Sequence, residues 1–174
     1  MEATTLQIVD VVGTWIASIG TVGAVITSLW IANNSNKVKL NVSASARVLI
    51  DSTRNGNPSL CYISIVNIGN KIAKINSIGW KIKRGKNKQE FFQNTNGSIA
   101  DKVPLTLQEG DDATITIEFN GEANWLESIT KAIQGYSIKD LKLVVVTNTE
   151  NFEVFIDESL VKEIMKERKR LSEL

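Results

Sequence analysis

Apolar and polar positions divide this chain into two regimes. From Val11 to Ile31 the sequence reads VVGTWIASIGTVGAVITSLWI, twenty-one residues without a charged side chain. At about 1.5 Å of rise per residue, such a run is roughly 30 Å long, the thickness of a bilayer's hydrocarbon core. It predicts a transmembrane helix over residues 11–32, after a short tail (1–10) and before a polar link, Asn33-Asn34-Ser35-Asn36. Trp15 and Trp30 stand near its two ends, where amphipathic rings favour the headgroup boundary. A long helix at the surface of a soluble protein carries a charged face, and this one carries none.

From Lys37 the period changes to two. Val38, Leu40, Val42, Ala44 and Ala46 alternate with mostly polar neighbours, the pattern of a strand with one buried face. Arg54-Asn55-Gly56-Asn57-Pro58 reads as a turn, Leu60 to Ile68 as a second strand ended by Gly69-Asn70, and Ile72 to Ile82 as a third. Gly85-Lys86-Asn87 turns the chain into Gln89-Glu90-Phe91-Phe92. Val103 to Leu107, the alternating run Ala113 to Phe119, Leu141 to Thr147 and Phe152 to Ile156 complete the set. Seven or eight short strands at this spacing predict a mainly β domain over residues 37–157, an antiparallel β-sandwich. Two helices interrupt the pattern: a connecting one over Asn124 to Gln134, and an amphipathic one over residues 158–174 with Leu160, Val161, Ile164 and Leu171 as its apolar stripe.

Composition narrows the chemistry. The 174 residues carry a net charge of +1 and contain no histidine, so the commonest general base and metal ligand are absent. The single cysteine, Cys61, excludes an intrachain disulfide and, inside Leu60-Cys61-Tyr62-Ile63, reads as a small buried hydrophobe. No nucleophile motif is present. Gly79 and Gly85-Lys86 lack the four-residue spacing of a phosphate loop, and Asn87 stands where a Ser or Thr would hold magnesium. Asp111-Asp112, with Asp51 or Asp101, read as solvated turn residues rather than calcium ligands. No catalytic residue, metal or cofactor is expected, and the chain is read as a non-enzyme.

Two features carry the functional expectations. At 100° steps, Gly13, Ala17, Gly20, Thr21, Ala24 and Ser28 fall on one half of the N-terminal helix, while most large residues fall on the other. Small residues let backbones approach closely in lipid, so this half is the expected face for self-association or for a partner's helix. The second feature is the basic cluster Lys81, Lys83, Arg84, Lys86 and Lys88. It reads first as an edge strand guarded by lysines, and second as a contact for anionic lipid heads; nucleic acid is the less favoured partner. Lys166, Arg168, Lys169 and Arg170, interleaved with Glu163, Glu167 and Glu173, predict an ion-paired helix surface. No Lys or Arg precedes the apolar run, whereas Lys37, Lys39 and Arg47 follow it. The positive-inside rule therefore places the N-terminus outside and the domain in the cytoplasm.

Ile65-Val66-Asn67-Ile68-Gly69-Asn70, Ile75-Asn76-Ser77-Ile78-Gly79-Trp80 and Leu105-x-Leu107-x-x-Gly110-Asp111 resemble uncharacterised bacterial and prophage single-span proteins with a small Ig-like domain. The resemblance implies that fold and a membrane setting, and no functional residue. The expected function is a membrane-anchored cytoplasmic interaction module for a protein partner, with a role in phage–host conflict such as superinfection exclusion as its setting. The alternative is a small homo-oligomeric pore lined by Thr14, Ser18, Thr21 and Ser28.

Overall fold

The computed structural model describes residues 2–35, 37–50, 56–121 and 124–173. The chain forms two compact units, residues 1–37 and 38–174. The first is one helix, α1 (Glu2–Ser35). It runs further than the apolar stretch at both ends, taking in residues expected as tail and link. No glycine or proline precedes Gly13, so nothing local stops the first turns from forming. Within α1, Asp10–Asn33 is the part long and apolar enough to cross a membrane, with mean hydropathy 1.7.

The second unit is mainly β. Its strands are β1 (Leu40–Val48), β2 (Ser59–Asn67), β3 (Ala73–Arg84), β4 (Asn87–Phe92), β5 (Leu105–Leu107), β6 (Asp112–Glu118), β7 (Lys142–Thr147) and β8 (Asn151–Phe155). The helices are α2 (Trp125–Ala132) and α3 (Glu158–Ser172), with a 3-10 turn at Ile138–Asp140. One antiparallel sheet has the order β1-β2-β6; the other runs β4-β3-β7-β8, with β5 paired to the first residues of β3. Arg54 and Asn55 of the Arg54–Pro58 turn, and Asp51 with them, lie outside the described residues; Gly56 sits at a φ of +105°, as a turn glycine does.

Alternation decides which side chains meet. Ile63 and Ile65 of β2 and Ile115 of β6 share one core with Ile75, Ile78, Trp80 and Ile82 of β3 and Leu143 and Val145 of β7. The buried positions of β3 change parity between Ile75 and Ile78, and the ladder with β7 shifts register between Ile75 and Ser77. A bulge here absorbs one residue, so both halves of β3 face inward. The two-residue turn between β3 and β4 starts at Gly85, whose φ of +58° favours glycine. α2 adds Trp125, Leu126 and Ile129 to the core, and α3 adds Leu160 and Ile164.

The start of α3 also closes a sheet edge. Asp157 N–H donates to Ala44 O at 2.9 Å, and Ala46 N–H donates to Ser159 Oγ at 3.0 Å, so the outer edge of β1 is covered. Residues 98–101 cover β6 in the same way, with Asp101 N–H on Thr114 O at 2.8 Å and Thr116 N–H on Ser98 Oγ at 3.1 Å.

Candidate functional site

The residues expected to carry function fall on two surfaces. The first is α1 itself. Gly13, Ala17, Gly20, Thr21, Ala24 and Ser28 are all exposed on it, and nothing lies within 4 Å of a Cβ built on Gly13 or Gly20. The hydroxyls are committed to their own helix. Thr14 donates to Asp10 O at 2.9 Å, Ser18 to Thr14 O at 2.8 Å, Thr21 to Ala17 O at 2.8 Å and Ser28 to Ala24 O at 2.7 Å. Back-bonding to the residue four positions earlier satisfies each O–H, so these side chains tolerate an apolar medium. What they offer a second helix is a smooth small-residue surface and acceptor lone pairs.

The second surface is the outer face of the β4-β3-β7-β8 sheet, opposite the core. Lys83 stands across from Lys88, and Lys81 across from Glu90, in the β3–β4 ladder. These four side chains therefore share one face, while Trp80 and Ile82 between them point inward. Lys86 occupies the turn, and the side chain of Arg84 lies outside the described residues. The five basic residues do not act as one cluster. Lys81 is paired to Glu153 of β8, which Lys142 also approaches at 3.4 Å, and Lys88 pairs with Glu90 at 2.7 Å. The hydrogen bond from Lys81 holds the Glu153 carboxyl below the usual range. Two of the expected lipid-binding charges are thus balanced by acids distant in sequence or two residues away.

Beside these charges lies a groove of about 290 Å³, lined by Ser77, Gly79, Glu90, Phe92, Val144 and Val146 among others. Its floor is Gly79, where a Cβ would stand 2.5 Å from Phe91 O. Only glycine fits that approach of β3 to β4 without moving backbone. Phe92 is 78% exposed at the groove's rim, in contrast to Trp80 at 1%.

Three polar anchors escaped the sequence reading. Asn67, fully buried at the end of β2, holds the turns around it. Gln93 Oε1 accepts from the indole N–H of both Trp80 and Trp125, each at 2.9 Å. Arg168 is not part of an ion-paired surface, as its spacing suggested. Its guanidinium donates to Tyr136 O and Ile133 O at 3.1 Å each, satisfying carbonyls beyond the end of α2. The remainder of that helix does pair: Lys166 with Glu163 at 2.6 Å and Arg170 with Glu167 at 2.5 Å. The signal for Arg168 was available, because it follows Leu160 and Ile164 on the buried stripe at helical spacing.

Cys61 is fully buried, and burial pushes its thiol pKa up, so it is unreactive. Asp111 and Asp101 each accept a backbone N–H at 2.8 Å, from Gln108 and Thr114. Among the described residues no group of three Asp, Glu or Cys side chains is placed to hold a metal.

Carboxylates that gain partners on folding set the acid response. Asp157, the N-cap of α3, is held below its ordinary range by hydrogen bonds from Ser159. Glu153 is lowered by Lys81. A depressed folded pKa contributes stability that is complete above the unfolded value and is lost as pH falls through the folded one. The urea midpoint should therefore be flat from neutral pH down to about 5 and fall below about 4. Asp157→Asn, which cannot titrate, should flatten that acid limb; an unchanged limb would show that the cap does not titrate with folding.

No family model matches this chain, and no curated protein matches it. A solved structure described as the X-ray structure of Northeast Structural Genomics Consortium target SoR45 matches at 14% identity, over 71% of this chain and 84% of that one. Its TM-score is 0.31, a likeness that carries no weight for fold or activity.

Proposed function

We propose that this protein is a membrane-anchored interaction module: α1 crosses a bilayer once, and the β-rich domain recognises a protein partner on the cytoplasmic side. The observation that carries this reading is the unbroken exposure of the apolar helix. Every large apolar side chain from Val11 to Ile31 is at least 50% exposed, eleven in all. Full burial of such a side chain is worth roughly 1.5–3 kcal/mol, so the exposed portions together represent roughly 10–20 kcal/mol. That is as large as the whole stability of a typical domain, roughly 5–15 kcal/mol. Such a surface needs a cover, and hydrocarbon covers every side of a helix at once. The Gly/Ala face then supports helix association, and the basic residues after the span favour an outside N-terminus.

We read the two sheets as an Ig-like sandwich, a scaffold that displays surfaces and implies no chemistry. A bacterial inner membrane and phage–host conflict, superinfection exclusion among its forms, follow from the resemblance of the turn and core motifs. The competing pore reading makes its own demand: a conductance that disappears when Thr14, Ser18, Thr21 and Ser28 are replaced by alanine.

Fractionation of bacteria expressing the full chain tests the anchor. The protein should sediment with membranes, resist alkaline carbonate and come off in detergent, while a chain lacking residues 1–37 should not sediment. Full-length protein in the supernatant without detergent would overturn the anchor and the topology together. For the association face, Gly20→Leu should lower helix–helix crosslinking from a cysteine at position 13 or 17.

A further inference from the structure

The free edge of β4 points to a second copy of this chain. We propose that two copies pair antiparallel through β4 (Asn87–Phe92), with Gln89 on the two-fold axis, joining their sheets edge to edge. The edges of β1 and β6 are covered from within the domain, whereas β4 and β8 end the other sheet; five of the six residues of β4 are exposed, and of these two strands β4 is the one that carries both Lys and Glu.

Hydrogen-bond parity limits the pairing. The two-residue turn pairs Arg84 with Asn87, and Gln93 N–H donates to Ile78 O at 3.0 Å. Residues 87, 89, 91 and 93 therefore point their backbone groups at β3, and Lys88, Glu90 and Phe92 point theirs at the open edge. A two-fold partner must match outward residues with outward residues. Such a register can centre on any residue of the strand; centred on 87, 91 or 92 it sets no Lys88 opposite a Glu90. Centred on position 88, the register sets Lys88 against Lys88; centred on 90, it sets Glu90 against Glu90. Only the register centred on Gln89 sets Lys88 opposite Glu90 of the second copy, twice, and Phe92 opposite its Lys86. Opposite charges directly across a ladder stabilise it and like charges do the reverse.

The same register adds a second acid beside Lys88, which already pairs with Glu90 of its own strand. Lys83 and Lys88 are direct cross-strand neighbours of like charge. A second copy brings Glu90 beside Lys88 on the outer face, so the row reads Lys83, Lys88, Glu90, Lys81 across the joined sheets. Lysine on an edge strand ordinarily discourages pairing. Here the alternating acid converts that guard into a selector for one register. The pairing uses no residue of α1 and is independent of the anchoring reading, so either can fail alone.

Disulfide trapping in the full chain, in detergent, tests the pairing. Residues opposite one another in a non-hydrogen-bonded antiparallel pair lie about 4.5 Å apart at Cα, within disulfide range. Only position 89 faces its own copy, and Cys61 is buried and does not compete. Gln89→Cys should form at least roughly tenfold more oxidised dimer than Lys88→Cys or Glu90→Cys. In the Gln89→Cys background, Lys88→Glu should lower dimer roughly tenfold, and adding Glu90→Lys should restore it to within about twofold. All of these positions are exposed, so folding is not at issue. A flat yield across 88–90, a maximum at 88 or 90, or a charge reversal that the swap fails to rescue would overturn the proposal.

Discussion

Asn67→Asp should destabilise the β-rich domain more than any other single-atom change in the chain. The Asn67 amide is fully buried and oriented by its surroundings. Its Nδ2 donates to Lys71 O at 2.7 Å and Leu107 O at 3.2 Å, and its Oδ1 accepts Gly69 N–H at 3.1 Å. Its backbone continues the junction, with its N–H on Asp111 O at 2.9 Å and Gly110 N–H on its own carbonyl at 3.0 Å. One side chain thus ties the end of β2 to the turn before β3 and to the end of β5. Aspartate keeps the acceptor but turns the donor into an oxygen facing two carbonyl oxygens, and adds a charge at a fully buried position. Leucine, with the same branched skeleton of side-chain heavy atoms but bulkier methyl ends, removes all three hydrogen bonds and leaves their partners unpaired. With each buried unpaired group costing about 1–3 kcal/mol, Asn67→Leu should cost about 4 kcal/mol and Asn67→Asp at least as much. Urea unfolding of the full chain in detergent, followed by far-UV dichroism, measures this. A loss under about 1 kcal/mol for the leucine variant would mean that the junction relaxes or admits water.

Gln93→Leu should be the next most damaging change. Trp80 and Trp125 are 1% and 7% exposed, their rings are 5.5 Å apart, and Phe119 stacks on Trp125 at 5.8 Å. Both indole N–H groups end on Gln93 Oε1, so one oxygen satisfies the two largest core side chains and joins β3 to α2. Leucine would orphan both donors, for roughly 3 kcal/mol. Glutamate keeps the acceptor and sacrifices only the half-exposed bond from Nε2 to Asn94 O, 2.9 Å long. The loss should therefore run leucine far above glutamate, with the near-UV tryptophan signal lost in the first and retained in the second. Equal losses would assign the effect to packing rather than to the shared acceptor.

Much of the candidate site was legible residue by residue, but not its pairing. The small-residue half of α1 could be drawn on a helical wheel because it depends on spacing alone. The basic residues could be counted, yet their partners could not. Lys81 meets Glu153 across 72 positions, through two ladders whose registers no local pattern encodes. Phe91 and Phe92 are adjacent and chemically identical; only the strand's orientation sends one inward and leaves the other 78% exposed. Asn67 and Gln93 looked like ordinary polar residues near turns, because a buried amide is recognisable only by what it bonds.

The sequence by itself determined the uncharged run that makes α1 apolar on every side, the period-two strands, the Gly-led turns and the amphipathic α3. These follow from preferences that act within a few residues: helix spacing, side-chain alternation and the backbone freedom of glycine. The tertiary structure alone decided the strand order, the bulge that keeps both halves of β3 facing the core, the covering of β1 and β6, and the opening of β4. It also turned Arg168 from a surface charge into a clamp on α2. The reason is physical: such features depend on which distant backbone groups meet, and that is settled only when the whole core packs.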